Sequence, residues 1–200
     1  MISAQEALER LKEGNRRFLA DDDNSHKLTY KTGFKWIPEQ HPFAVILGCA
    51  DSRVPAEIIF DQGVGDLFVI RVAGNVAAPS QIGSVEYAAE HIGSRLVVVL
   101  GHSNCGAVQA TLEEMEQPSD GLSPSLTTIV DRIRPALEEL GKPDDTDALM
   151  EKAVRANINT SVNHLRHGSE ILERLIDTDG LLIVGAEYSL ETGAVEFFDN

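Results

Sequence analysis

Two short segments of the chain carry residues of the types that bind metal ions. Cys49 and Asp51 form a Cys-x-Asp pair, and His102 and Cys105 form a later His-x-x-Cys pair. The sequence contains 2 cysteines in 200 residues, and both belong to these segments. Thiolate sulfur and imidazole nitrogen are ligands that zinc prefers. The two segments therefore predict a zinc site if the fold brings them together.

Each segment follows directly on a short apolar run, 43–47 before the first and 96–100 before the second. Uninterrupted runs of this kind are typical of strands that are buried on both faces of a parallel sheet. Ligands in such sheets bind just beyond the carboxyl ends of the strands. If the two strands are neighbours, all four side chains reach one crevice.

The rest of the chain alternates strand and helix patterns. Further strands are predicted at 67–70, 181–185 and 194–198, helices at 3–19, 81–91, 106–115, 129–140 and 154–176, and irregular connections at 21–41 and 116–124. Pro135 is expected to break its helix, and Gly168 is a candidate kink. This order predicts an α/β fold, with a central, mainly parallel sheet flanked by helices and an edge strand at the C-terminus.

Length, composition and net charge indicate the number of domains and exclude some classes of partner. A chain of 200 residues with 42% hydrophobic content buries one sizeable core, so we expect a single domain over 1–200 with residues 1–20 as an N-terminal helical arm. A net charge of -15 argues against nucleic acid and phospholipid partners. The N-terminus does not resemble a signal peptide and no run has membrane-spanning length, so we expect no membrane and a cytoplasmic location.

The two cysteines have three interpretations: unrelated buried thiols, a disulfide, or metal ligands, which the spacing favours. The role of Asp51 then decides the kind of site. As a fourth ligand, Asp51 closes the site, as in structural zinc proteins. Arg53 is within reach for a bidentate pair with Asp51, and that pair leaves the fourth position open for water.

The combination of Cys-x-Asp-x-Arg with a later His-x-x-Cys, each after a strand, resembles the β-class carbonic anhydrases. The resemblance extends from the N-terminal helix to the final strand. It implies reversible hydration of CO2 to bicarbonate and a proton through a zinc-bound hydroxide. It also implies one Zn2+ per chain on Cys49, His102 and Cys105, a catalytic dyad of Asp51 and Arg53, and Asp51 as a fourth ligand only in a closed form.

The resemblance further implies a homodimer or a dimer of dimers, with the N-terminal helix extending onto a partner subunit. Gln62 matches a glutamine that binds substrate across the dimer interface, and Tyr87 an aromatic residue in the CO2 pocket. Considered without the family resemblance, Gln62 is interpreted as a turn residue that satisfies local backbone groups, and Tyr87 as a core residue. Two alternative functions stay open: hydrolysis of carbonyl sulfide or carbon disulfide on the same site, and a structural zinc protein.

One subgroup of the family closes its site by binding bicarbonate in a second pocket made by a Trp, an Arg and a Tyr. This sequence has Arg71 and Tyr188 at matching places, but Ile46 stands where the Trp would be. Isoleucine has no N–H to donate to an anion. We therefore expect weak bicarbonate binding there, with Asp51 paired to Arg53 near neutral pH.

Overall fold

The structure is a computed structural model that describes residues 2–20, 39–118, 121–140 and 146–198. Within these ranges the chain forms a five-stranded sheet with helices on both faces. The strands are β1 (Ala44–Gly48), β2 (Leu67–Arg71), β3 (Leu96–His102), β4 (Leu182–Tyr188) and β5 (Val195–Phe197). The helices are α1 (Ala4–Ala20), α2 (Ala56–Ile59), α3 (Pro79–Tyr87), α4 (Gly106–Glu116), α5 (Pro124–Glu138), α6 (Thr146–His167) and α7 (Glu170–Asp179).

The strand order is β2-β1-β3-β4-β5, with the first four strands parallel and β5 antiparallel at the edge. This confirms the predicted α/β class, the mainly parallel sheet and the C-terminal edge strand. The two strands that precede the metal-ligand segments are neighbours, with Gly48 opposite Leu100. Cys49 therefore leaves β1 beside the end of β3, where His102 lies.

The larger apolar cluster lies between one face of the sheet and helices α3 to α7, and it includes both cysteines. Close approach of α6 to this face depends on a glycine in β3. A Cβ atom on Gly101 would lie 2.5 Å from side-chain atoms of Ile158, which is itself fully buried. The absence of a side chain at Gly101 lets α6 pack directly behind the strand that supplies His102.

The other face of the sheet is covered by α1 and α2. Helix α1 begins with the predicted capping box, in which Ser3 and Glu6 bond each other's backbone N–H groups. On its inner face Ala7, Leu8 and Leu11 are buried against the chain's own sheet, whereas Leu19 near its end is exposed. That α1 also extends onto a partner subunit stays a prediction.

Of the two predicted helix interruptions, the break at Pro135 is wrong, whereas the interruption at Gly168 is in the right place but is a full break and not a kink. Pro135 lies inside α5 and does not break it, although it cannot donate a backbone hydrogen bond to the carbonyl of Asp131. The helix ends at Glu138, within one further turn. The predicted helix over 154–176 is instead two helices, α6 and α7, with Ser169 as the N-cap of the second. Most of the predicted connection over 21–41 lies outside the described residues. Among the described helices, none is long and apolar enough to cross a membrane.

Candidate metal centre

Three side chains meet where β1 and β3 end. Cys49 follows β1, His102 is the last residue of β3, and Cys105 is the N-cap of α4. One ligand atom from each lies within 4.8 Å of the others, and all three residues are buried. The two sulfur atoms are 4.0 Å apart and the cysteines are free, so the disulfide and unrelated-thiol interpretations are wrong. The arrangement is a metal-ligand set.

The imidazole of His102 is oriented for metal binding. Its Nδ1 lies 2.9 Å from the carbonyl oxygen of Ser103, which places the ring proton on Nδ1 as a donor. Its Nε2 is buried and has no hydrogen-bond partner among the described residues. A buried nitrogen without a partner is costly unless a ligand satisfies it. The lone pair on Nε2, together with two sulfurs, therefore fits a metal ion.

The electrostatics of the three ligands favour a cation. The hydrogen bond from the Cys105 thiol lowers the pKa of Cys49 to about 4, and the same contact raises the pKa of Cys105. Burial lowers the pKa of His102, but the nearby Cys49 thiolate and the Ser103 carbonyl oxygen together outweigh burial and raise the pKa overall. The pair of cysteines thus holds one proton near neutral pH in the metal-free protein, and a metal ion would displace it.

Asp51 lies beside the ligand set and is bound to Arg53. The guanidinium donates to both carboxylate oxygens, Nε to Oδ1 at 3.0 Å and Nη2 to Oδ2 at 2.8 Å, and the Arg53 backbone N–H donates to Oδ1 at 2.9 Å. These bonds hold the pKa of Asp51 well below its usual range. Oδ2 is 3.9 Å from Nε2 of His102, too far for a hydrogen bond. This is the arrangement expected of an open site.

Arg71 makes two hydrogen bonds that the sequence pattern did not predict. From the end of β2, its Nε donates to the carbonyl oxygen of Cys49 at 3.0 Å, and its Nη2 donates to the carbonyl oxygen of Asp51. The guanidinium therefore holds the backbone segment that carries Cys49 and Asp51. Ile46 and Tyr188 are both buried in the apolar cluster on the α1 side of the sheet.

The other two predicted site residues lie outside the ligand set. Gln62 is buried, its Nε2 donates to the Phe60 carbonyl oxygen at 2.7 Å, and its Oε1 accepts from Arg10 at 3.1 Å. The side chain of Tyr87 is 49% exposed and packs against Phe68, with 6.4 Å between ring centroids. Their roles toward substrate stay predictions.

Comparison with known proteins identifies the family. The family model for carbonic anhydrase matches residues 44–195. Carbonic anhydrase 2 of Mycobacterium tuberculosis is 40% identical over 194 residues, which cover 95% of this chain and 90% of that protein.

Solved structures agree with this match. The β-carbonic anhydrase CcaA has a TM-score of 0.70 at 28% identity, covering 96% of this chain and 87% of that one. A tetrameric β-carbonic anhydrase from Sordaria macrospora has a TM-score of 0.72 at 25% identity, covering 81% and 83%. Since the matches span both ligand segments and the whole sheet, the chain belongs to the β-class carbonic anhydrase family.

Proposed function

We propose that this protein catalyses the reversible hydration of CO2 to bicarbonate and a proton. The observation that carries the proposal is the position of Asp51, which Arg53 holds beside the three metal ligands rather than among them. This leaves a coordination position for water, as catalytic metal sites require. Membership of the β-carbonic anhydrase family supports the same reaction.

Zinc fits the ligand set formed by Cys49, His102 and Cys105, because two thiolates and one imidazole are a known set for catalytic zinc. When bound, zinc supplies a Lewis acid that lowers the pKa of a coordinated water to near neutrality. We propose one zinc per chain. The protein's share is to keep the ligands buried and to hold a ring proton of His102 on Nδ1 through the Ser103 carbonyl oxygen, so that Nε2 is the atom directed at the metal.

Asp51 orients the attacking water. Its Oδ2 faces the ligand set, and an ionised carboxylate oxygen accepts a hydrogen bond from the water and fixes the direction of its lone pair. The low pKa that Arg53 imposes means that Asp51 stays ionised and does not store the released proton. Asp51 therefore positions the nucleophile, and the proton leaves to solvent or buffer.

The proposal also includes the oligomeric state of the protein. We propose a homodimer or a dimer of dimers in which Gln62 and Tyr87 contribute to substrate binding. The exposure of Tyr87, Ile58 and Val64 leaves apolar surface for a second subunit. The tetrameric relative from Sordaria macrospora supports oligomerisation. A cytoplasmic location, where both thiols stay reduced, fits this site.

Stopped-flow measurement of CO2 hydration on protein loaded with one zinc per chain tests the proposal. We expect a rate well above that of buffer alone, and loss of most of this rate in Asp51→Asn at unchanged zinc content. Hydrolysis of carbonyl sulfide or carbon disulfide is measured on the same samples. Loaded protein that attacks those analogues but leaves CO2 at the buffer rate would overturn the proposal.

A further inference from the structure

Ser103 follows β3 and lies in the chain between the two ligands His102 and Cys105. Its carbonyl oxygen accepts a hydrogen bond from Nδ1 of His102 at 2.9 Å. The opposite ring nitrogen, Nε2, is buried and has no hydrogen-bond partner among the described residues. The direction of the Nε2 lone pair therefore depends on where the Ser103 carbonyl group is held.

Two further hydrogen bonds tie Ser103 to the end of β4 and to the turn that follows it. The backbone N–H of Ser103 donates to the carbonyl oxygen of Tyr188 at 3.0 Å, one residue beyond the last pair of the parallel ladder, His102 and Tyr188. The side-chain Oγ of Ser103 accepts from the backbone N–H of Leu190 at 2.9 Å. The backbone and the side chain of this residue are thus each bonded to the neighbouring strand or its turn.

The turn between β4 and β5 is itself fixed in place. Within the turn, the N–H of Gly193 donates to the carbonyl oxygen of Ser189 at 2.9 Å. From α1, the buried amide of Asn15 bonds to the far end of the turn. Its Nδ2 donates to the Gly193 carbonyl oxygen at 3.0 Å, and its Oδ1 accepts from the N–H of Val195 at 2.9 Å. The turn that binds the Ser103 hydroxyl is therefore anchored to α1.

The two bonds to the turn and to β4 determine the place of the Ser103 carbonyl group. When the N–H and the Cβ of one residue are fixed, tetrahedral geometry at Cα also fixes the position of its carbonyl carbon. The chain then passes through Asn104, whose φ of 55° is left-handed, and reaches Cys105. Asparagine adopts this conformation more readily than most residues with a side chain. The carbonyl oxygen is thereby kept directed at the imidazole of His102.

We propose that Ser103 is a positioning residue for the metal ligand His102, and that its hydroxyl holds the carbonyl group that orients the imidazole. The inference rests on metal binding by His102, and so on the proposed function. A hydrogen bond to the second nitrogen of a ligating imidazole fixes its tautomer and orientation and raises its basicity. Removing the hydroxyl releases one of the two anchors of that hydrogen-bond acceptor.

Ser103→Ala tests the proposal, because alanine keeps the backbone and removes the acceptor for the Leu190 N–H. Ser189→Ala is the matched control. The Ser189 hydroxyl accepts a backbone N–H in the same turn, from Thr192 at 3.2 Å, and the Ser189 carbonyl oxygen accepts from Gly193 rather than from a metal ligand. Ser103→Thr keeps the hydroxyl, and the cavity of about 710 Å3 that Ser103 lines leaves room for the added methyl group.

Two measurements report on the metal ligand directly. Each full-length protein is titrated with Zn2+ in competition with a chromophoric chelator, which gives the zinc affinity. Each is then loaded with Co2+ for proton NMR in water. Co2+ moves the Nδ1–H signal of a bound imidazole far outside the ordinary range, and exchange with water broadens this signal when the proton is not held in a hydrogen bond. Thermal denaturation of the metal-free proteins measures the stability that each substitution costs.

We expect Ser103→Ala to lower zinc affinity by about tenfold. The shifted Nδ1–H signal should broaden, because the carbonyl oxygen no longer holds the proton as firmly against exchange. Ser103→Thr should keep the wild-type affinity and signal. Ser189→Ala should also keep both, even if its melting temperature falls as far as that of Ser103→Ala.

A Ser103→Ala protein with the zinc affinity and the sharp Nδ1–H signal of the wild type would overturn the proposal. Equal changes in Ser189→Ala would overturn it as well, since they would show a general effect of the turn, and so would a Ser103→Thr protein that behaves like Ser103→Ala. These readouts do not depend on CO2 hydration. The expected differences in a protein whose wild type does not hydrate CO2 would therefore reject the proposed function and keep the positioning role.

Discussion

The metal centre and the segment around Gln62 are built in different ways. The three ligands come from the ends of two neighbouring strands and the start of one helix, and they meet within one chain. Gln62 lies under α1, and both ends of its amide are bonded within the chain, to Arg10 and to Phe60. One chain therefore supplies the whole candidate ligand set, whereas the proposed substrate role of Gln62 involves a second subunit.

The largest expected effect comes from breaking the metal centre. Replacing Cys49, His102 or Cys105 with Ala should remove the bound zinc and reduce CO2 hydration to the rate of buffer alone, because the remaining two ligands hold zinc far more weakly. Elemental analysis after gel filtration and stopped-flow assays measure both. His164→Ala changes an exposed histidine and serves as control. Full zinc occupancy in the three ligand variants would contradict the assignment.

The second-largest effect is expected from a substitution that removes the carboxylate of Asp51 but leaves the three metal ligands unchanged. Asp51→Asn should keep the zinc and lose about 100-fold or more in hydration rate, because an amide neither accepts the same hydrogen bond from water nor holds Arg53 by charge. Zinc content and stopped-flow rates are measured on the same preparation. Wild-type activity in this variant would remove Asp51 from the mechanism.

Sequence patterns predicted the metal centre because its residues directly follow strands. The runs 43–47 and 96–100 indicate buried strands, and if these are neighbours in a parallel sheet, as the structure shows, Cys49 and His102 meet at its carboxyl edge. The same reasoning gave the α/β class and the edge strand. In this part of the molecule, local pattern and tertiary structure agree.

The supporting contacts could not be predicted in this way. Arg71 and Asn157 act on backbone carbonyl groups of distant residues, and such bonds leave no spacing or motif in the sequence. The interruption at Gly168 was predicted in the right place but as a kink within one helix, because the apolar period continues from α6 into α7 across it. Gln62 drew its functional assignment from the family resemblance alone.

The third prediction concerns a substitution that disturbs the packing around Gln62 and leaves the metal centre intact. A Cβ atom on Gly14 would lie 1.9 Å from the Phe60 carbonyl oxygen and 2.9 Å from Nε2 of Gln62. Gly14→Ala should therefore displace α1 and cost about 1–3 kcal/mol of unfolding free energy. Zinc content should stay at the wild-type level, since Cys49 and Cys105 lie in the other apolar cluster.

Gly83→Ala is the matched control for this substitution. Gly83 is also inside a helix, and a Cβ atom there would meet nothing within 4 Å. Alanine should stabilise the protein by about 0.4–1 kcal/mol, because it restricts the unfolded chain. Chemical denaturation of both variants gives the two free energies. A Gly14→Ala protein as stable as Gly83→Ala would show that α1 does not pack on Phe60 as described.

The smallest expected effect concerns regulation by pH and bicarbonate. Arg71 is bound to the carbonyl groups of Cys49 and Asp51, and Ile46 is fully buried and offers no donor to an anion. Bicarbonate therefore has little differential affinity with which to favour a closed form. The bond to Arg53 lowers the pKa of Asp51, so the pair is fully formed above the usual carboxyl range and is lost as pH falls through the lowered value.

Near neutral pH, the Asp51–Arg53 pair should therefore stay intact. Activity should follow a single, gradual ionisation as pH rises, with a Hill coefficient of about 1, as expected for one site without cooperative closure. Stopped-flow rates across the neutral range, with and without added bicarbonate, measure this. A steep, cooperative loss of activity on mild acidification, deepened by bicarbonate, would show that Asp51 leaves Arg53 for the metal. In that case the Asp51–Arg53 pair would be one of two states of the site, and the structure would show only the open one.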